Sequence, residues 1–291
     1  MKLISIFLIL FMHVSSANGE ELQALDAYHI YNSDGERTDY ASLFNTAEVA
    51  DIVLFGELHN NPVTHWIRQT LVQDLAADTT RALAVGLEMF ESDQQVILDE
   101  FLSGMIMERS FEQQVRLWGN YTTDYRPMVR FLKGKEIPVI ATNIPRRYAN
   151  AVYHNGMEAL ENAAEKIRDW FAPLPITVDL TLPGYAGILE AAQGHGGDNL
   201  PISQAVKDAT MAHFTMQYMR ENPESRFFHL HGSYHSNNYE GIYWYLRYYG
   251  AESEIMTVAT VETDDLENFD PTEAPKADFL IVIPSSMIKT H

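Results

Sequence analysis

The chain has 291 residues, 46% of them hydrophobic and 21% charged, the balance of a folded globular protein and not of a disordered one. Its formal net charge is -20 at pH 7, which excludes the basic face that a nucleic-acid partner requires. It contains no cysteine, so neither a disulfide nor a cysteine-borne lipid anchor contributes, and the fold must rest on its own core.

In chain order, the opening MKLISIFLILFMHVSSANGEE carries one lysine, an apolar run from Leu3 to Met12 and a small-x-small stretch, Ala17-Asn18-Gly19. The run is shorter than the roughly 20 residues of a membrane span, so residues 1–19 read as a secretory signal peptide. This predicts a secreted protein, periplasmic in a Gram-negative source. Residues 20–291 then form one domain with no transmembrane segment.

Six apolar runs follow: DIVLF (51–55), RALAVGLE (81–88), IPVIATN (137–143), RFFHLHG (226–232), EIMTVATV (254–261) and DFLIVIP (278–284). Most are unbroken rather than alternating, as suits strands covered on both faces. Helical patterns lie between them. Residues 92–103 open with Ser92 and Gln95 in capping-box spacing and end before Gly104, and residues 125–133 form a second helix before Gly134. Residues 146–222 hold no strand pattern but two helical stretches, 157–171 and 202–222, separated by Pro173, Pro175, Pro183 and a glycine cluster at 194–197. The fold class is therefore α/β, a mostly parallel central sheet with helices on both faces and a helical insertion or lid over about 146–222.

Polar residues sit where these strands end. Gly56-Glu57-Leu58-His59 follows the first, Glu88 closes the second, Asn143 closes the third, and Gly232-Ser233-Tyr234-His235 follows the fourth. The carboxyl ends of parallel strands form the crevice where ligands bind, so separate segments would deliver Glu57, His59, Glu88, Asn143 and His235 to one place. Two imidazoles with Glu57 or Glu88 suit a divalent metal with an open position for water, so His59, His235, Glu57 and Glu88 are the candidate ligands. The same four residues suit general acid/base catalysis without metal. His65 follows Pro62 at a helix start. His229 and His231 share one strand face and read as core histidines, and His195 in GHGGD reads as part of a turn. The stripe of Met211, Met216 and Met219 with Phe214 and Tyr218, and the aromatic stretch 239–250, read as packing.

The ordered set VLFGELHNNPVTH, GLEMF, DYRPMVRFLKGKEIPVIATNIPRR, KDATMA and HGSYHS resembles the ChaN family of bacterial haem-binding uptake proteins, over roughly residues 50 to 260. That family is similar in turn to the Tiki and TraB proteins and the erythromycin esterases. The resemblance implies haem as cofactor, a role in haem or iron uptake, and a homodimer formed on haem binding. Through the Tiki-like relatives it implies the alternative of a metal-dependent hydrolase, a protease or esterase, with Glu57, His59, Glu88 and His235 as its catalytic and metal-binding residues. A binding module for another small ligand is a third reading. Haem needs an axial His, Tyr, Met or Cys and cations or amides for its propionates. Tyr121, Tyr125, Tyr185, Asn143 and Arg146 are the candidate haem contacts, with Arg126 and Arg147 as further propionate partners.

Overall fold

The computed structural model describes residues 25–191, 197 and 199–291; the expected signal peptide and His195 lie outside them. The elements run β1 (His29–Asn32), β2 (Arg37–Thr38), α1 (Tyr40–Val49), β3 (Ile52–Glu57), α2 (Pro62–Leu75), β4 (Leu83–Glu91), α3 (Gln95–Leu102), α4 (Glu108–Gln114) and α5 (Arg126–Gly134). They continue with β5 (Val139–Asn143), α6 (Arg146–Asn155), α7 (Glu158–Glu161), α8 (Pro183–Ala191), α9 (Asn199–Glu221), β6 (Arg226–Gly232), α10 (Ile242–Tyr248), β7 (Ile255–Thr263) and β8 (Phe279–Pro284). No helix among the described residues is long and apolar enough to cross a membrane.

The strands form one sheet in the order β2-β1-β8-β7-β3-β6-β4-β5. Neighbours from β8 to β5 run parallel, and β1 and β2 are antiparallel additions at one edge. Each of the six predicted runs is one of the parallel strands. The short hairpin of β1 and β2 carries too few residues for a pattern and was not expected.

Alternate residues of the central strands feed opposite cores, as the two-residue period of a strand requires. Val53, Phe55, Val85, Leu87, Phe228 and Leu230 pack into one cluster with residues of α1 to α5. Ile52, Leu54, Ala84 and Phe227 pack into another with α6, α9 and α10. Unbroken apolar runs are the consequence of covering both faces. Among its described residues the segment 146–222 holds helices and no strand, and it is a structural layer: Ala205, Val206, Ala209 and Ala212 of α9 are fully buried. Met211, Met216 and Met219 join that core.

Two helix expectations need correction. The capping box at Ser92 does not form; Ser92 Oγ donates to the Trp170 carbonyl instead. Gln95 donates to the Val139 carbonyl at 2.9 Å and accepts from the Ala141 N–H at 2.6 Å, filling the open side of edge strand β5 as a neighbouring strand would. The predicted helix 157–171 is interrupted: α7 stops at Glu161, and a 3₁₀ segment covers Glu165–Trp170 after Ala164 turns extended. There Arg168 donates to the carbonyls of Glu161 and Ala163, satisfying groups that the helix end leaves open.

Candidate functional site

β3, β6 and β4 lie side by side, so their carboxyl ends bring the two Gly-x-x-His motifs and Glu88 together. The motifs interlock. A Cβ on Gly56 would come within 2.8 Å of Ser233 Cα, and a Cβ on Gly232 within 2.6 Å of His59 Nε2. Each motif thus needs glycine because the other motif occupies the space where a side chain would begin. Gly232→Ala is expected to displace the His59 ring and destabilise the fold by roughly 1–3 kcal/mol, the usual cost of overpacking. Denaturant titration measures it, and an unchanged midpoint would show that the ring relaxes freely.

Glu57 is buried and draws its partners from the α2 and α5 side of the sheet. Arg68 Nη1 of α2 lies 2.8 Å from Glu57 Oε2, and both side chains are 1% exposed. Tyr125, just before α5, donates its hydroxyl to Glu57 Oε1, and the Arg68 guanidinium lies 4.6 Å from the centroid of the Tyr125 ring. Burial pushes the Glu57 carboxyl up, but Arg68, His59 and His65 outweigh it and hold it below its ordinary value. His65 is pushed down to about 4 by burial and by Arg68, so it is neutral between Glu57 and Asp124.

Glu88 faces the other layer. Its Oε2 accepts the Gly232 N–H at 2.8 Å, and its Oε1 lies 3.4 Å from His235 Nε2. His235 Nδ1 lies 2.5 Å from Asp208 Oδ1 of α9, and Tyr185 of α8 donates to Asp208 Oδ2 at 2.7 Å. Burial disfavours charge on His235, yet Glu88 and Asp208 prevail and push it up to about 10. An imidazolium with a proton on each nitrogen has no lone pair to offer, so this ring binds Glu88 and Asp208 together. Glu88 in turn is held well below the usual carboxylate range, against burial, by His235 and His59.

His59 stands between the two clusters. Its Nδ1 lies 3.1 Å from Glu57 Oε1 and 3.2 Å from the Tyr125 hydroxyl, and its Nε2 lies 3.9 Å from Glu88 Oε2. Burial works against charge on this ring too, but Glu57 and Glu88 raise it above its ordinary value. The four residues therefore converge, each carboxylate paired with a histidine. They do not form a preformed metal set: among the described residues, ligand atoms of three such groups fall within 4.8 Å of one another only at Asp26, His29 and Glu267. At that edge of the sheet Arg37 Nη2 lies 3.0 Å from Asp26 Oδ2.

A cleft of about 1130 Å³ opens beside His59, with Leu117 and Trp118 on its wall and Arg116, Arg146 and Arg147 around it. Arg116 is paired with Glu91 and Asp93, and Arg147 with Asp93. Arg146 is exposed and has no ion pair among the described residues. Of the five residues expected at a haem, Arg146 alone lines this cleft. Tyr125 and Tyr185 are spent on Glu57 and Asp208, and Tyr121 packs among Phe90 and Phe111. Burial raises all three phenols above their ordinary value, so none is a ready phenolate. Asn143 donates to the Glu88 carbonyl at 3.1 Å. Arg126 pairs with Glu112 at 3.4 Å, away from the cleft.

His229 and His231 are fully buried, as expected, and satisfied by one another at 3.0 Å and by Thr142 and Ser236. Arg68 and Asp208 were missed. Each left a signal, a lone charge among apolar residues on a buried helical face: Arg68 beside Ile67, Leu71 and Val72, and Asp208 beside Ala205, Ala209 and Ala212.

Residues 43–246 match the sequence profile of a family described as haem-binding uptake, Tiki superfamily, ChaN. No curated protein matches the chain. Among solved structures, the chain is similar to ChaN of Campylobacter jejuni, described as binding haem cofacially, with 17% identity and a TM-score of 0.65 over 91% of this chain and 100% of that one. A protein of Bacillus cereus is similar at 12% identity and a TM-score of 0.51, over 85% of this chain and 92% of that one. At these identities the two structures establish a shared fold.

Proposed function

Because the chain belongs to the haem-binding uptake family of the Tiki superfamily, ChaN, we propose that it binds haem in the cleft beside His59 and serves haem or iron uptake outside the cytoplasm. The observation that carries this reading is the donor set of the cleft: imidazoles, the apolar faces of Leu117 and Trp118, and an arginine with no ion pair among the described residues. At about 1130 Å³ the cleft lies just above the usual range of small-molecule sites, roughly 300–1,000 Å³, large enough for a planar macrocycle. The residues present fit the group. Bound haem would supply an iron with axial positions to fill, and uptake requires only that it be held and released.

This chain's residues divide the work of holding it. Arg146, at the first turn of α6, would meet a propionate, since it is the cleft arginine without an ion pair. Trp118 would lie against the macrocycle. Its ring meets those of His59 and Tyr125 edge-on, with centroids 4.7 and 5.6 Å apart, so it is held in place from both sides. The buried pairs of Glu57 with Arg68 and of Glu88 with His235 fix the floor beneath. A homodimer formed over bound haem is part of this proposal.

Titration of the protein with hemin tests it. A saturable, shifted Soret band is expected, with Arg146→Glu weakening affinity about tenfold, the scale of one charge-assisted hydrogen bond. Sedimentation with and without hemin reads the dimer. A spectrum that only grows in proportion to added hemin would sink the proposal.

A further inference from the structure

At the β1 edge of the sheet, away from the cleft, three side chains of metal-ligand type converge from distant parts of the chain. His29 opens β1, and its side chain is 1% exposed. Its Nε2 lies 3.1 Å from Asp26 Oδ2 and 3.9 Å from Glu267 Oε1. Nothing in the interior engages the ring: Nδ1 is buried and has no hydrogen-bond partner among the described residues. Glu267 sits in the loop between β7 and β8, where Leu266 and Phe269 anchor the backbone by packing with Tyr31, Ala259 and Val282 in the small core of this edge. Other carboxylates of that loop close turns, Asp265 accepting from the Asn268 N–H and Asp270 from the Thr272 N–H. The Glu267 carboxylate instead faces His29.

A buried imidazole aimed at two solvent-facing carboxylates is a donor set for a borderline divalent cation, zinc above all, whose usual ligands include histidine nitrogen and carboxylate oxygen. With bonds of about 2.0–2.2 Å, the ligand atoms around a tetrahedral zinc stand roughly 3.3 Å apart. The two separations from His29 Nε2, 3.1 and 3.9 Å, bracket that distance, and the three ligand atoms all lie within 4.8 Å of one another. Asp26 and Glu267 are 42% and 59% exposed, so closing the shell moves surface side chains and leaves His29 in place. Arg37 Nη2 lies 3.0 Å from Asp26 Oδ2, but it is itself 53% exposed and engages one oxygen of the carboxylate. We infer that Asp26, His29 and Glu267 bind a zinc-type divalent cation, with water completing the shell, and that the cation ties the chain entering β1 to the loop after β7. Such a tie suits this edge, where β1 and β2 have only four and two residues. The site is separate from the proposed haem cleft, since β8 and β7 lie between β1 and β3.

Titration of the chelator-treated full chain with zinc, followed by calorimetry and by thermal unfolding, tests the site. Saturable binding is expected, with a rise in Tm, because the unfolded chain does not bring the three ligands together. Glu267→Gln and Asp26→Asn should each weaken that binding at least about tenfold, since the loss of even an outer-shell partner commonly costs 10–100-fold. Both side chains are on the surface, so these variants should fold as wild type does without metal. Arg37→Gln should tighten binding, because a fixed positive charge leaves the neighbourhood of the cation. Calcium should bind at least about ten times more weakly than zinc, because it takes oxygen ligands and gains little from an imidazole. The inference is overturned if zinc neither binds nor raises Tm, or if Glu267→Gln and Asp26→Asn bind it as wild type does, which would place the zinc elsewhere. Calcium binding as tightly as zinc would also overturn it, leaving only an acidic surface.

Discussion

Replacing Arg68 by alanine should destabilise the fold by about 3–5 kcal/mol, the range for breaking a buried ion pair by removing one partner. Glu57 and Arg68 are each 1% exposed at a separation of 2.8 Å, so neither can exchange its partner for water. Without Arg68, Glu57 would keep the Tyr125 hydroxyl and the His59 ring, but the main opposite charge would be gone. Arg68 also donates to the Asp124 carbonyl, a second partner lost. Pairing the change with Glu57→Gln should recover part of the loss, because the stranded charge is removed with it. Urea or guanidinium unfolding measures both, and a loss under about 1 kcal/mol for Arg68→Ala would mean that water reaches the pair.

The second large effect is a dependence of stability on alkaline pH that His235→Gln removes. In the fold His235 keeps its proton up to about 10, whereas an unfolded chain releases it near the ordinary value of 6.5. Between those values the folded state binds more protons than the unfolded one, so stability falls as pH rises. The contribution is fully present below 6.5 and is lost through about 10. Each pH unit of the shift is worth about 1.36 kcal/mol, so the whole limb is on the order of a few kcal/mol. Glu88 acts with the opposite sign: its carboxyl is depressed below 4.5, and its contribution is present above that value and lost as pH falls. His235→Gln should flatten the alkaline limb relative to wild type and lower stability at neutral pH. Parallel pH profiles for the two proteins would show that Glu88 and Asp208 do not hold the proton.

Six strands, their burial on both faces and the helical character of 146–222 were legible because they follow from local pattern. A buried parallel strand must be apolar throughout, and a helix must repeat every 3.6 residues, whatever it packs against. The convergence of Glu57, His59, Glu88 and His235 was legible for a related reason: polar groups at the exits of buried strands meet at one edge of the sheet. Their partners were not legible. Periodicity says which face a residue takes, but it does not say what stands opposite. Only packing α2 on one face and α9 on the other set Arg68 against Glu57 and Asp208 against His235. The tyrosines show the same limit, since Tyr125 and Tyr185 could have faced a ligand by their loop positions and instead point inward to those carboxylates. The trio of Asp26, His29 and Glu267 lies furthest from local rules. It carries no motif, and its members meet because the sheet sets β1 beside β8 and brings the loop after β7 within reach of His29. Burial and periodicity are properties that a few neighbouring residues determine together, whereas a charge pair or a ligand set is decided only when the closed fold brings distant segments into contact.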